Sequence, residues 1–182
     1  MTAATSGSLL LVDGYNIIGA WSSLKKTRDR DGLEAARQEL VEALINYTSV
    51  EGLTTQVVFD SHYQTTPAYQ EDYTPSLSVY FTAFAQTADT YIEKICASFN
   101  RNNSALNSRL IVATSDRAQC LTALGYGAEW LSAQRLASEV EIVSVRIKRQ
   151  HRPKKQPQGR FLFNSLDPQA QQRLSQWRRG IH

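Results

Sequence analysis

The sequence predicts an α/β domain built on a mostly parallel sheet, and three observations predict it. Short apolar runs alternate with stretches of helical periodicity, the pattern of strands joined by crossover helices. Three of those runs end in an acidic residue: LLLVD at 9–13, VVFD at 57–60 and VATSD at 112–116. The 182 residues suffice for one domain with a real core and are too few for two comfortable ones.

The chain is organised around LLLVDGYN, Leu9–Asn16. A continuous apolar run bounded by a turn signal reads as a strand buried on both faces. Ligands of open α/β sheets sit beyond the carboxyl ends of the strands. Asp13 is therefore expected to leave a central strand and point into a crevice, with Gly14 letting the backbone turn sharply. An ordinary Asp-Gly turn is the plainer reading, and the recurrence of strand-then-acid weighs against it. Residues 17–32, IIGAWSSLKKTRDRDG, read as a loop carrying Trp21 and the cations Lys25, Lys26, Arg28 and Arg30. Leu33, Ala36, Leu40, Leu44 and Tyr47 mark one face of a helix over 33–47, capped by Asp31 and ended by Gly52. Thr54–Phe59 is the second strand, closed by Asp60. The polar, proline-containing stretch 61–76 has no periodicity and reads as a long loop beside the crevice. His62 in it reads as a surface histidine. Leu77–Thr82 is the third strand.

Thr87–Asn102 is predicted as a helix with Ile92, Ile95 and Phe99 inward. Asp89 and Glu93 are four residues apart and share a helix face. A cation between them would remove their repulsion; the plainer reading is two solvated acids, with Asp89 favouring the helix dipole. Arg109–Ala113 is the fourth strand. Asp116 closes it and opens a helix through Leu121 and Leu124 to Gly125, where an acid also suits the helix N-terminus. Ala128–Leu131 is a short fifth strand, and Ser132–Gln150 a long helix with Leu136, Val140, Val143 and Ile147 inward. Cys96 and Cys120 have no metal-ligand spacing and no disulfide framework, and read as buried free thiols.

Charge is distributed unevenly. The net charge is +3, yet residues 1–145 hold ten Lys/Arg against sixteen Asp/Glu, and residues 146–182 hold ten Lys/Arg against Asp167 alone. An acidic body suits cation binding, and a basic tail suits a polyanion. The tail's cations are Arg146, Lys148, Arg149, Arg152, Lys154, Lys155 and Arg160. A solvated linker is the plainer reading of that run. Phe161–Phe163 is expected to anchor the returning chain, and Asp167–Trp177 to form a short helix. No apolar run approaches a membrane span, and LLLV is too short for a signal-peptide core; free thiols at Cys96 and Cys120 lead to the expectation of a cytoplasmic protein.

Carboxylates gathered at one sheet edge repel one another unless protonated or bound to cations. Their hard oxygens suit Mg²⁺ or Mn²⁺, which supports phosphodiester hydrolysis; Asn16 is placed to orient water or hold a phosphate. There is no G-x-G-x-x-G, no phosphate-loop motif and no G-x-S-x-G elbow, so dinucleotide, P-loop and serine-hydrolase readings fail.

VDGYN at 12–16, VVFD at 57–60, TADTYIEK at 87–94, TSD at 114–116 and WRRG at 177–180 together resemble the YacP-type NYN-domain family of PIN-like, metal-dependent ribonucleases. The resemblance runs from about Leu9 to Gly180. It implies a PIN-like, three-layer α/β/α domain over 7–150, with a mostly parallel, doubly wound sheet in strand order 3-2-1-4-5. A basic arm and short helix would follow over 151–182 and pack on the domain. It implies an Mg²⁺-dependent (or Mn²⁺-dependent) endoribonuclease acting on single-stranded RNA, in a family with members associated with ribosomes and mRNA turnover. RNA and the ribosome are the implied partners. Asp13, Asp89 and Asp116 match the family's metal-holding positions, and Glu93, Asp60 and Asn16 complete the catalytic set. The stretch 61–76 and the arm look variable, so substrate choice does not transfer. The competing reading is a catalytically silent RNA- or ribosome-binding module; retention of every acidic position opposes it.

Overall fold

The computed structural model describes residues 7–61, 67–102, 109–150 and 168–169. Packing separates Met1–Ile147 from Lys148–His182, and the sheet belongs to the first unit. Five strands are parallel: β1 (Leu9–Asp13), β2 (Thr54–Phe59), β4 (Leu77–Phe81), β5 (Leu110–Thr114) and β6 (Glu129–Ser132). A sixth, β3 (Tyr69–Thr74), pairs antiparallel with β4 at the edge. The order is β3-β4-β2-β1-β5-β6. The expected 3-2-1-4-5 arrangement therefore stands, with one extra edge strand inside the stretch read as loop. No side chain of β3 is buried, so it lacks the alternation that marks a half-buried strand.

Six helices complete the domain: α1 (Gly14–Ala20), α2 (Ser22–Asp31), α3 (Leu33–Glu51), α4 (Ala88–Asn102), α5 (Arg117–Gly125) and α6 (Ala133–Gln150). Successive residues of β1 feed opposite cores. Leu10 and Val12 pack in a cluster with Leu40, Leu44, Leu136 and Val143 of α3 and α6. Leu11 packs with Ile92 and Cys96 of α4, and with Val112. This two-sided burial explains the unbroken apolar run and makes a three-layer α/β/α sandwich. Both cysteines are free and buried. Among the described residues, no helix is long and apolar enough to cross a membrane.

Three local expectations are corrected. Residues 17–32 are not a loop but hold most of α1 and α2. Their buried residues, Ile17, Ile18, Trp21 and Leu24, straddle an extended break at Trp21 and so show no single stripe. The Trp21 indole is fixed there by donating Nε1–H to the Ala133 carbonyl at 2.7 Å. Asp31 does not cap α3; Gly32 does, at φ +94°, while Asp31 pairs with Arg30. Gly14 is the first residue of α1 rather than a turn; a Cβ there would lie 2.2 Å from Phe59 Cε1, so glycine is required for close approach of that ring. The expectations for His62, for the cations from Arg152 onward, for Phe161–Phe163 and for a helix at Asp167–Trp177 concern positions outside the described residues, apart from 168–169.

Candidate active site at the carboxyl edge of the sheet

Strand order reverses around β1, because the chain leaves it toward β2 and later returns to its other side as β5. Crevices form where strand order reverses, and Asp13 and Asp116 stand there. Asp13 is the last residue of β1 and the N-cap of α1, its Oδ1 accepting from the Asn16 amide at 3.1 Å. Asp116 follows β5 and caps α5, its Oδ1 accepting from the amides of Ala118 at 2.7 Å and Gln119 at 3.0 Å. Asn16 ties the two turns together: its Oδ1 accepts from the Ser115 amide at 2.7 Å and from the Ser115 hydroxyl.

Asp13 is 93 % buried. Its pKa is raised from 3.8 to about 6, chiefly by burial and also by the charges of Asp89 and Asp60, against hydrogen bonds from Asn16 and Gln119 that lower it. Asp89, in the first turn of α4, is also raised, first by desolvation and then by Asp116 and Asp60. Asp60 acts on both Asp13 and Asp89, and Asp89 also feels Asp116, so the four carboxylates are electrostatic neighbours.

Gln119 is the residue that sequence reasoning missed. It is buried and its Nε2 donates to Asp89 Oδ1 at 2.6 Å, while its Oε1 is buried without a hydrogen-bond partner. The available signal was the spacing Asp116-x-x-Gln119, which resembles a capping box. In such a box the glutamine would reach back to its own helix cap; here it reaches across to α4.

The other expected residues have distinct places. Asp60 accepts from the backbone amide of Ala88, the first residue of α4, and so anchors the helix that carries Asp89. Glu93 is exposed; its charge helps to raise the Cys96 thiol, and it does not figure among the groups that shift Asp13 or Asp89. Among the described residues, no three His, Cys, Asp or Glu side chains lie close enough to hold a metal together. Asp116 spends an oxygen on α5, and Gln119 occupies the space beside Asp89. Of the basic arm, Arg146, Lys148 and Arg149 are exposed near the end of α6; Arg152, Lys154, Lys155 and Arg160 lie outside the described residues.

Residues 10–179 match the YacP-like NYN domain. Over 174 residues, the chain is 34 % identical to a protein of Bacillus subtilis (strain 168) named YacP, covering 94 % of this chain and 97 % of that one. The crystal structure of Rae1 (YacP) from Bacillus subtilis is similar with a TM-score of 0.66 at 34 % identity, covering 95 % of each chain. A tryptophan-to-leucine variant of that protein gives 0.65 at 31 % identity, covering 92 % of this chain and 98 % of that one.

Proposed function

The chain belongs to the YacP-like NYN domain family, a nuclease family, and from that premise we propose that it is a metal-dependent endoribonuclease of single-stranded RNA. The observation that carries this reading is geometric: Asp13 and Asp116 stand where strand order reverses, and Gln119 ties Asp89 to the same edge. Two carboxylates held where both are costly to ionise are a site whose charge calls for a cation.

The donor set fits Mg²⁺ or Mn²⁺. It is all oxygen, and Mg²⁺ commonly takes one or two carboxylates, several waters and substrate phosphate rather than a full protein cage. Asp13, Asp89 and Asp116 would hold the ion. Bound metal supplies a polarised phosphoryl oxygen and a water of lowered pKa. The chain's own residues do the positioning. Gln119 fixes the Asp89 carboxylate by amide donation and offers its unpartnered Oε1 as a further acceptor. Asp60 holds the start of α4. Asn16 locks the turn after β1 to the turn after β5. Arg146, Lys148 and Arg149, with Arg152, Lys154, Lys155 and Arg160 beyond, would draw RNA by neutralising phosphates without reading sequence. Action on mRNA at the ribosome, in the cytoplasm, follows from the family resemblance alone.

Incubating an unstructured RNA with the protein in Mg²⁺ or in chelator tests the reading. Internal cleavage should require the metal and vanish in Asp13→Asn and in Asp89→Asn. Intact RNA with the folded wild-type protein would refute it. The competing reading is a binding module that keeps the fold without catalysis. RNA retention without cleavage would mark that outcome.

A further inference from the structure

A cavity of about 600 Å³ opens beside the carboxylates and is lined in part by Tyr15, Arg28, Arg37, Asp60, Tyr69 and Phe81. We propose that it is a nucleobase subsite, seating one base of single-stranded RNA against the Tyr69–Phe81 platform, with the backbone passing Asp60 toward Asp13 and Asp89. The proposal rests on the ribonuclease reading for the nature of its ligand and adds where that ligand is gripped.

The sequence builds this wall through β3. Tyr69 is the cross-strand partner of Phe81, and their rings stack with centroids 4.6 Å apart and planes 17° from parallel. Phe81 stacks in turn on Phe59 at 5.8 Å, and Phe59 tilts against Tyr15 at 4.9 Å. The ladder runs from the buried Phe59 out to Tyr69, which is 43 % exposed. An exposed ring ending a stack is a surface on which any base can continue it, since every base has a π face. Arg37 adds a cation to the same wall. Its guanidinium lies 5.9 Å from the Phe59 centroid and 5.6 Å from that of Phe81, and donates to the Tyr15 hydroxyl at 3.3 Å. Planar guanidinium and aromatic faces together are how proteins hold unstacked bases. The volume is in the range of sites for small ligands.

Two further features select a nucleotide over a purely apolar occupant. Asp60 lines the cavity and also raises both Asp13 and Asp89, so cavity and carboxylates are neighbours. Arg28, on the cavity wall, is tied to its sequence neighbour Asp29 in an exposed pair. Such pairs contribute little, which leaves the guanidinium available to a backbone phosphate.

The test uses the full chain carrying Asp13→Asn, so that RNA is not consumed, and a short fluorescent single-stranded RNA. Adding Tyr69→Ala should weaken binding roughly 5- to 100-fold, the range for losing one base–aromatic stack, while Tyr69→Phe should retain it. Making single positions abasic should reveal one position whose loss is not worsened by Tyr69→Ala. Tyr69 is exposed on an edge strand, and the melting temperature of each variant confirms folding. Equal affinity with and without the ring, or no RNA binding by the parent, overturns the subsite. Metal-dependent cleavage by wild type together with indifference to Tyr69 removes the subsite and leaves the nuclease. Tyr69-dependent binding without cleavage leaves the subsite and removes the nuclease.

Discussion

The Gln119 side chain donates Nε2–H to Asp89 Oδ1 across 2.6 Å, linking the first turn of α5 to the first turn of α4. The same amide lowers the proton affinity of Asp13. One neutral side chain therefore holds Asp89 in place and favours the charged form of Asp13. Replacing it by leucine keeps the bulk and removes the donor. A hydrogen bond to a charged group contributes roughly 1.5–3 kcal/mol, so Gln119→Leu should move the acid limb of the pH–rate profile of RNA cleavage upward by about one to two units. A lower rate with an unmoved limb would mean that Gln119 only packs.

Much of this was legible because burial on both faces leaves a plain trace. LLLV, VVF and LIVA are apolar at every position, and the acids that end or follow them stand at the carboxyl edge of the sheet as read. What stayed hidden had no such trace. Tyr69 and Phe81 meet through a register between strands, and β3 has no buried side to give it a pattern. The α1–α2 pair is too short and too bent at Trp21 to show a helical stripe. Gln119 carries no charge, and its role depends on a partner 30 residues away. Sequence position likewise places Asp116 at the edge but does not show that local amides claim one of its oxygens.

Gly14 and Phe59 make a second coupled pair. Gly14→Ala forces a methyl into the buried Phe59 ring, which Tyr15 and Phe81 hold in place. Overpacking of this kind costs about 1–3 kcal/mol, or a fall of several degrees in Tm at about 2–4 °C per kcal/mol. Gly19→Ala in the same helix meets nothing within 4 Å and should stabilise by roughly 0.5–1 kcal/mol. Phe59→Leu should absorb part of the Gly14→Ala cost, so the double variant should be more stable than the two single losses added together. Strict additivity in thermal melts would show that the ring is not the obstacle.

The last prediction follows from the sign of the Asp13 shift. Its folded pKa of about 6 exceeds the ordinary 3.8, so between those values the folded chain holds a proton that the unfolded chain has released. Stability from this group is therefore highest below pH 4, falls as pH rises through the window, and levels off above pH 6. The shift corresponds to about 3 kcal/mol at most. Asp13→Asn removes the ionisation and keeps the α1 cap, because asparagine caps as well as aspartate. In chelator, the variant should be more stable than wild type at pH 7.5, and the difference should shrink toward pH 4. Added Mg²⁺ at pH 7.5 should stabilise wild type by binding the folded state and should do much less for the variant. Urea denaturation at the two pH values, with and without Mg²⁺, reads all of this. A variant less stable than wild type at pH 7.5, or an advantage that does not change with pH, would show that Asp13 is not held against its own charge.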